Sequence, residues 1–135
     1  MATSIITYNG GLRTTSEHLS SGTKIITDAP VDNKGQGASF SPTDLLATSL
    51  GNCMLTIAGI AANEHGFNID GATCEITKVM GTDPRRVTAI KVALTFPSEN
   101  YTEKQKLIIE RSIKTCPVMY SIHPDIDVQD TIKFL

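Results

Sequence analysis

A chain of 135 residues, with 40% hydrophobic and 19% charged side chains, has the size and make-up of one ordinary globular domain with a real core. Twelve basic residues against fourteen acidic ones give a formal charge of −2, and no run of Lys or Arg supplies the footprint of a nucleic-acid binder. The opening MATSIITYNGGLRTT lacks a basic start leading into an apolar region, and no apolar run approaches the roughly 20 residues a bilayer requires. The expectation is a cytoplasmic protein with neither nucleic acid nor membrane as partner.

Residues 5–8, 12–19 and 24–27 read as short strands separated by NGG and SSG turns, a meander. The stretch DAPVDNKGQGASF that follows is a loop rich in glycine and turn formers. A long helix then opens at Ser41, a good N-cap, with Pro42 at the first helical position and Asp44 completing a capping-box spacing. Gly66 closes it as a left-handed C-cap. Between these ends Leu46, Leu50, Cys53, Ile57 and Ile60 recur at helical spacing, while Ala47, Gly51, Ala58, Gly59, Ala61 and Ala62 keep the remaining surface thin. Glycine inside a helix costs about 1 kcal/mol relative to alanine, so Gly51 signals the close approach of another element.

Residues 72–80 and 87–96 pattern as two strands joined by GTDPRR and should pair as a hairpin. Ile90, Val92, Leu94 and Phe96 alternate with Ala89, Lys91, Ala93 and Thr95, as in a sheet with one buried face. Thr102 and Gln105 form a second capping-box spacing, opening a helix on which Ile109, Ile113, Cys116 and Tyr120 share a face. Pro117 denies the Ile113 carbonyl its helical partner, so this helix should bend or restart there. A last strand covers residues 126–134. Strands, helix, hairpin, helix and strand make an α+β fold, a single domain over residues 1–135.

Three cysteines are an odd count with no C-x-x-C spacing, which argues against a secreted disulfide framework and a zinc knuckle. A cysteine on an apolar stripe ordinarily serves as a small hydrophobe, and Cys74 in ATCEITKVM reads that way. Cys53 and Cys116 are different. One follows Gly51 and Asn52, the other precedes a helix-breaking proline, and each sits on the inward face of its helix. They lie 63 positions apart and would meet if the two helices packed against each other on one sheet. His18, His65 and His123 lack metal-ligand spacing, and no phosphate-binding loop occurs, so neither metal nor cofactor is expected. Arg85 and Arg86 read as solvated turn residues, and Glu110 as the partner of Lys106 or Lys114 on a helix surface.

SPTDLLATSLGNC, followed after a hairpin and a helix start by KTCPV, resembles the superfamily of osmotically inducible protein C (OsmC) and organic hydroperoxide resistance proteins, over nearly the whole chain. TDAPVDNKGQG and VMGTDPRRVTAI are similar to its YhfA-like branch. The resemblance implies antiparallel sheets wrapping a long central helix and a second Cys-bearing helix in an intertwined homodimer, with active sites at the subunit interface. It also implies a thiol-dependent peroxidase reducing organic hydroperoxides. Cys53 would be the nucleophile, Cys116 the resolving thiol, and an external dithiol such as a lipoyl protein the reductant. Arg13, after the Gly-Gly pair, matches the arginine that stabilises the thiolate in that family, although a solvated strand residue is an equal reading. Where the family's peroxidases carry a glutamate that orients this arginine, position 43 is Thr, which cannot grip a guanidinium through two oxygens. A weakly active or non-catalytic stress-response protein that binds small ligands, its thiols sensing redox state or packing, is the second reading.

Overall fold

The structure, a computed structural model, describes residues 1–135. The chain forms two compact units, Met1–Leu45 and Leu46–Leu135. The first is a three-stranded antiparallel meander of β1 (Ser4–Gly10), β2 (Arg13–His18) and β3 (Lys24–Asp28), followed by a loop containing one 3-10 turn, Val31–Asn33. The expected strand at residues 12–19 begins one residue later, because Leu12 takes a positive φ of 63° and belongs to the turn. Register then pairs Arg13 with Asp28 across β2 and β3.

Helix α1 (Pro42–Glu64) opens with the anticipated box: the Asp44 amide donates to Ser41 Oγ at 3.1 Å and the Ser41 amide donates to Asp44 Oδ2 at 2.9 Å. It closes at Gly66, whose φ of 78° lets the Phe67 amide reach back to the Ala62 carbonyl at 3.0 Å. At 23 residues, with a window of mean hydropathy 1.6, α1 is long and apolar enough to cross a membrane, contrary to the expectation from runs of apolar residues. Ala47, Leu50, Met54 and Ala58 nevertheless pack it into the core of the second unit.

That core rests on a sheet ordered β4 (Thr73–Gly81), β5 (Arg86–Phe96), β6 (Asp127–Phe134). β4 and β5 pair antiparallel as the hairpin pattern requires. β6 pairs with β5 in parallel, from Ala89 with Asp127 to Phe96 with Phe134, so the expectation of purely antiparallel sheets is corrected. The cause is the connection: α2 (Glu103–Ile113) and α3 (Pro117–Ser121) make a crossover that returns the chain to the same end of β5. Along central β5, Val87, Ile90, Val92, Leu94 and Phe96 are buried, and α1 and α2 pack on this face through Leu50, Met54, Ile109 and Ile113. Phe96 stacks on Phe134 at 5.5 Å between ring centres, and Tyr101 meets Phe134 edge-on at 5.8 Å, which ties β5, β6 and the approach to α2 together.

α2 starts at Thr102, with both capping-box hydrogen bonds to Gln105 formed. Lys106 lies 3.6 Å from Glu103 and over the Phe134 ring, so its carboxylate partner is not Glu110. Two faces differ from the periodic reading. The buried side of α1 is Ala47, Leu50, Gly51, Met54, Ala58 and Ala62, with Leu46 and Ile60 exposed. Thus small residues together with Leu50 and Met54 face the sheet, and the expected Leu46 and Ile60 do not. Tyr120 is exposed because the helix breaks at Cys116 and α3 sets off in a new direction.

A Cβ on Gly51 would lie 3.0 Å from both Cys74 Sγ and Ile76 Cδ1, whereas one on Gly59 would find only Ile69 Cδ1, at 3.9 Å. Overpacking costs about 1–3 kcal/mol and removing a helical glycine gains about 1 kcal/mol. Urea unfolding should therefore show Gly51→Val losing about 2 kcal/mol and Gly59→Ala gaining up to about 1 kcal/mol.

Candidate active site

The middle of α1 and the junction of α2 with α3 lie over the same sheet face, and this brings Cys53 to Cys116. Cys53 is near enough to Cys116 to act on the pKa of its thiol, and all three cysteines are free. Cys116 is fully buried; Cys53 is partly accessible, on the flank of α1 beside its buried face.

Cys116 also caps α3. Its backbone is extended at φ −68° and ψ 135°, Pro117 occupies the first helical position, and the sulfur accepts the Met119 amide at 3.3 Å. Pro117 thus breaks the α2 helix and aims the next amides back at the thiol. Burial pushes the Cys116 pKa up, the Met119 amide pulls it down, the hydrogen bond and charge of Cys53 push it up, and the Val118 amide pulls it down. The upward effects win, because withdrawal from water disfavours a thiolate more than amides on a weak sulfur acceptor favour it. Cys116 therefore holds its proton more tightly than an exposed thiol would. In such a pair the partly accessible sulfur is the one placed to meet a solute, and the buried one meets only its neighbour.

Cys74 stands apart. It is half-buried on β4 and faces Gly51, which is two residues, or about 200°, round the helix from Cys53. Burial raises its pKa, as expected of a packing thiol.

Arg13 belongs to the first unit. Its Nη2 donates to Gln36 Oε1 at 3.0 Å and lies 3.6 Å from Asp28 Oδ2, with the Arg13 side chain 42% exposed and Asp28 buried at 1%. Asp28 Oδ2 also accepts the Ala38 amide at 2.9 Å, while Oδ1 has no partner. Arg13 is thus engaged by a carboxylate and an amide rather than free in solvent. Asp28 and Gln36 escaped the sequence reading, since an acidic residue and an amide in a Gly-rich loop look like solvated turn formers; only the cross-strand register of Arg13 with Asp28 reveals the pair. Thr43 Oγ1 lies 3.2 Å from Ser41 Oγ, within the N-terminal cap of α1. Arg85 is exposed in the β4–β5 turn, and Arg86 is half-buried at the edge of a cleft beside His123 and Asp125.

With this geometry in view, the family of OsmC-like proteins matches residues 35–129, a stretch that holds both Cys53 and Cys116, and the chain belongs to that family. The fold agrees. A structure from Psychrobacter arcticus 273-4, described as a candidate osmotic stress induced and detoxification response protein, shares 54% identity at a TM-score of 0.92, covering 98% of this chain and 96% of its own. An OsmC-like protein from Mycoplasma pneumoniae has the same fold at 18% identity and a TM-score of 0.80, over 98% and 95% of the two chains. So does an organic hydroperoxide resistance protein from Legionella pneumophila, at 18% identity and a TM-score of 0.71, over 98% of each chain. No curated protein matches the chain.

The raised Cys116 pKa has a stability consequence with a definite sign. Below about pH 8.5 an unfolded thiol is protonated too, and the shift contributes nothing. Above it the unfolded chain sheds a proton that the folded chain keeps, so stability falls as pH rises toward the folded pKa, by at most about 1.4 kcal/mol per pH unit. Thermal melts should decline on the alkaline side of about pH 8.5 and decline less steeply in Cys116→Ser.

Proposed function

We propose that this protein is a thiol-dependent peroxidase that reduces organic hydroperoxides. The observation that carries the reading is the nearness of a partly accessible Cys53 to a buried Cys116 whose pKa is raised. The Cys53 thiolate attacks the terminal oxygen of ROOH, the O–O bond breaks, and a proton completes the alcohol ROH while Cys53 becomes a sulfenic acid. The Cys116 sulfur then attacks the sulfenic sulfur, displacing hydroxide, which leaves as water with the Cys116 proton, and a Cys53–Cys116 disulfide remains. An external dithiol returns both residues to thiols and is itself oxidised to a disulfide.

Cys53, partly accessible, is assigned the attack on the peroxide, and Cys116, buried with its thiol pKa raised by that burial, the resolving role. Arg13 is assigned, through the resemblance of its GGLR setting, the role of cation for the Cys53 thiolate. The retained pair also supports membership of the detoxifying part of the family, which includes an organic hydroperoxide resistance protein among its solved structures. Thr43, engaged in the cap of α1 where a carboxylate would have held the arginine, favours the second reading, a stress-response protein whose thiols sense rather than turn over.

A homodimer is part of the proposal. On β1 and β3, Ile6, Tyr8 and Ile25 on one face of the sheet and Ile5 and Ile26 on the other are 48–64% exposed, apolar surface on both sides of the kind that marks a protein interface. A second copy is the occupant proposed, and sedimentation equilibrium should give twice the 14.5 kDa chain mass.

The peroxidase test is mass spectrometry of the reduced protein after one equivalent of cumene hydroperoxide. Wild type should form a Cys53–Cys116 disulfide at least 100-fold faster than a free thiol reacts, on the order expected of an activated thiolate. Cys116→Ser should stop at a Cys53 sulfenic acid, and Cys53→Ser should not react. Free-thiol rates in wild type would leave only the sensing or packing role.

A further inference from the structure

We infer that Asp28 is the positioning residue for Arg13, the carboxylate that orients its guanidinium in a chain where Thr43 cannot. The inference rests on the peroxidase reading and deepens it, since it concerns how the cation for the Cys53 thiolate is held. Asp28 is 1% exposed, and burying a carboxylate without partners is strongly disfavoured, so each oxygen should have a donor. Oδ2 has two candidates, the Ala38 amide at 2.9 Å and Arg13 Nη2 at 3.6 Å. Oδ1 has none. The same carboxylate has a guanidinium nitrogen 3.6 Å from Oδ2, and a guanidinium carries several N–H groups in a planar fork, so the natural complement of the second oxygen is another arm of that fork.

The local frame makes the placement reproducible. Arg13 and Asp28 are cross-strand partners in β2 and β3, the Asp28 amide is tied to the Phe40 carbonyl at 3.1 Å, and the Ala38 amide fixes Oδ2. Asp28 is thus rigid, while Gln36, which takes the same Nη2 at 3.0 Å, is exposed on the loop. Arg13, Asp28, Asn9 and Ser39 border a cavity of about 420 Å³, space enough for the guanidinium to turn from the single contact seen here to a two-pronged one. A buried carboxylate with one oxygen held by backbone and the other without a donor can accept an arginine in one fixed orientation, which a solvated counter-charge could not impose.

Positioning and neutralisation predict opposite signs. If Asp28 only dampened the Arg13 charge, Asp28→Asn would strengthen the cation and speed alkylation of Cys53 by iodoacetamide at pH 7. If it positions Arg13, the same variant loses the oriented cation and alkylates Cys53 more slowly. We expect about a tenfold drop, read on the Cys53 peptide by mass spectrometry, with a similar drop in kcat/KM for cumene hydroperoxide. In an Arg13→Gln background Asp28→Asn should cause no further loss, because Asp28 acts only through Arg13. Faster alkylation, unchanged rates, or an additive loss in the double variant each overturn the inference while leaving the peroxidase intact. A wild type without turnover overturns both together. Should Asp28→Asn fail to fold, Arg13→Lys decides: it keeps the charge and loses the fork, and a loss of about tenfold supports orientation, whereas wild-type activity overturns it.

Discussion

The buried face of β5 is the constraint on which the rest of the second unit depends. Val87, Ile90, Val92, Leu94 and Phe96 present one continuous apolar strip, and each side chain of this kind contributes about 1.5–3 kcal/mol on leaving water. α1 covers part of that strip, α2 another part, and the requirement that both cover it puts the middle of one helix against the end of the other. The meeting of Cys53 with Cys116 is a by-product of this shared floor. No local signal at either cysteine could have brought them together.

Small residues let the long helix lie close to its sheet. A Cβ on Gly51 would press against Cys74 and Ile76 of β4 at about 3.0 Å, and Ala47, Ala58 and Ala62 line the same buried side. Close approach of backbone holds Cys53 at a defined height above the sheet, and the break at Pro117 does the same for Cys116 by converting the last turn of a helix into the cap of the next. The two devices differ, yet both trade a regular helix for the position of a sulfur.

Electrostatics divides labour within the thiol pair. A buried cysteine is ordinarily inert because its thiolate is unsolvated, and the amides of Met119 and Val118 only partly offset that burial. The proton stays on Cys116, which suits a group that must wait until its neighbour has been oxidised. In the first unit a similar economy operates between Arg13 and Asp28, where one carboxylate oxygen is anchored by backbone and the other is left open.

Elements with local causes were legible in the sequence: the caps at Ser41 and Thr102, the stop at Gly66, the restart after Pro117, and the alternation of β5 all depend on side chains within a few residues of one another. The family too could be read from SPTDLLATSLGNC and KTCPV, and with it the cysteines worth watching. Periodicity found Leu50 but rotated the rest of the buried face of α1, placing Leu46 and Ile60 there where the helix instead buries Met54 and the small Ala47, Gly51, Ala58 and Ala62. It was equally blind to the parallel pairing of β6, which depends on where a crossover ends, and to Asp28, which is a turn residue in sequence and a buried carboxylate in space. Local chemistry decides where helices and strands begin and end. Which side chains then meet is decided by burial shared between distant segments, and only the tertiary structure carries that information.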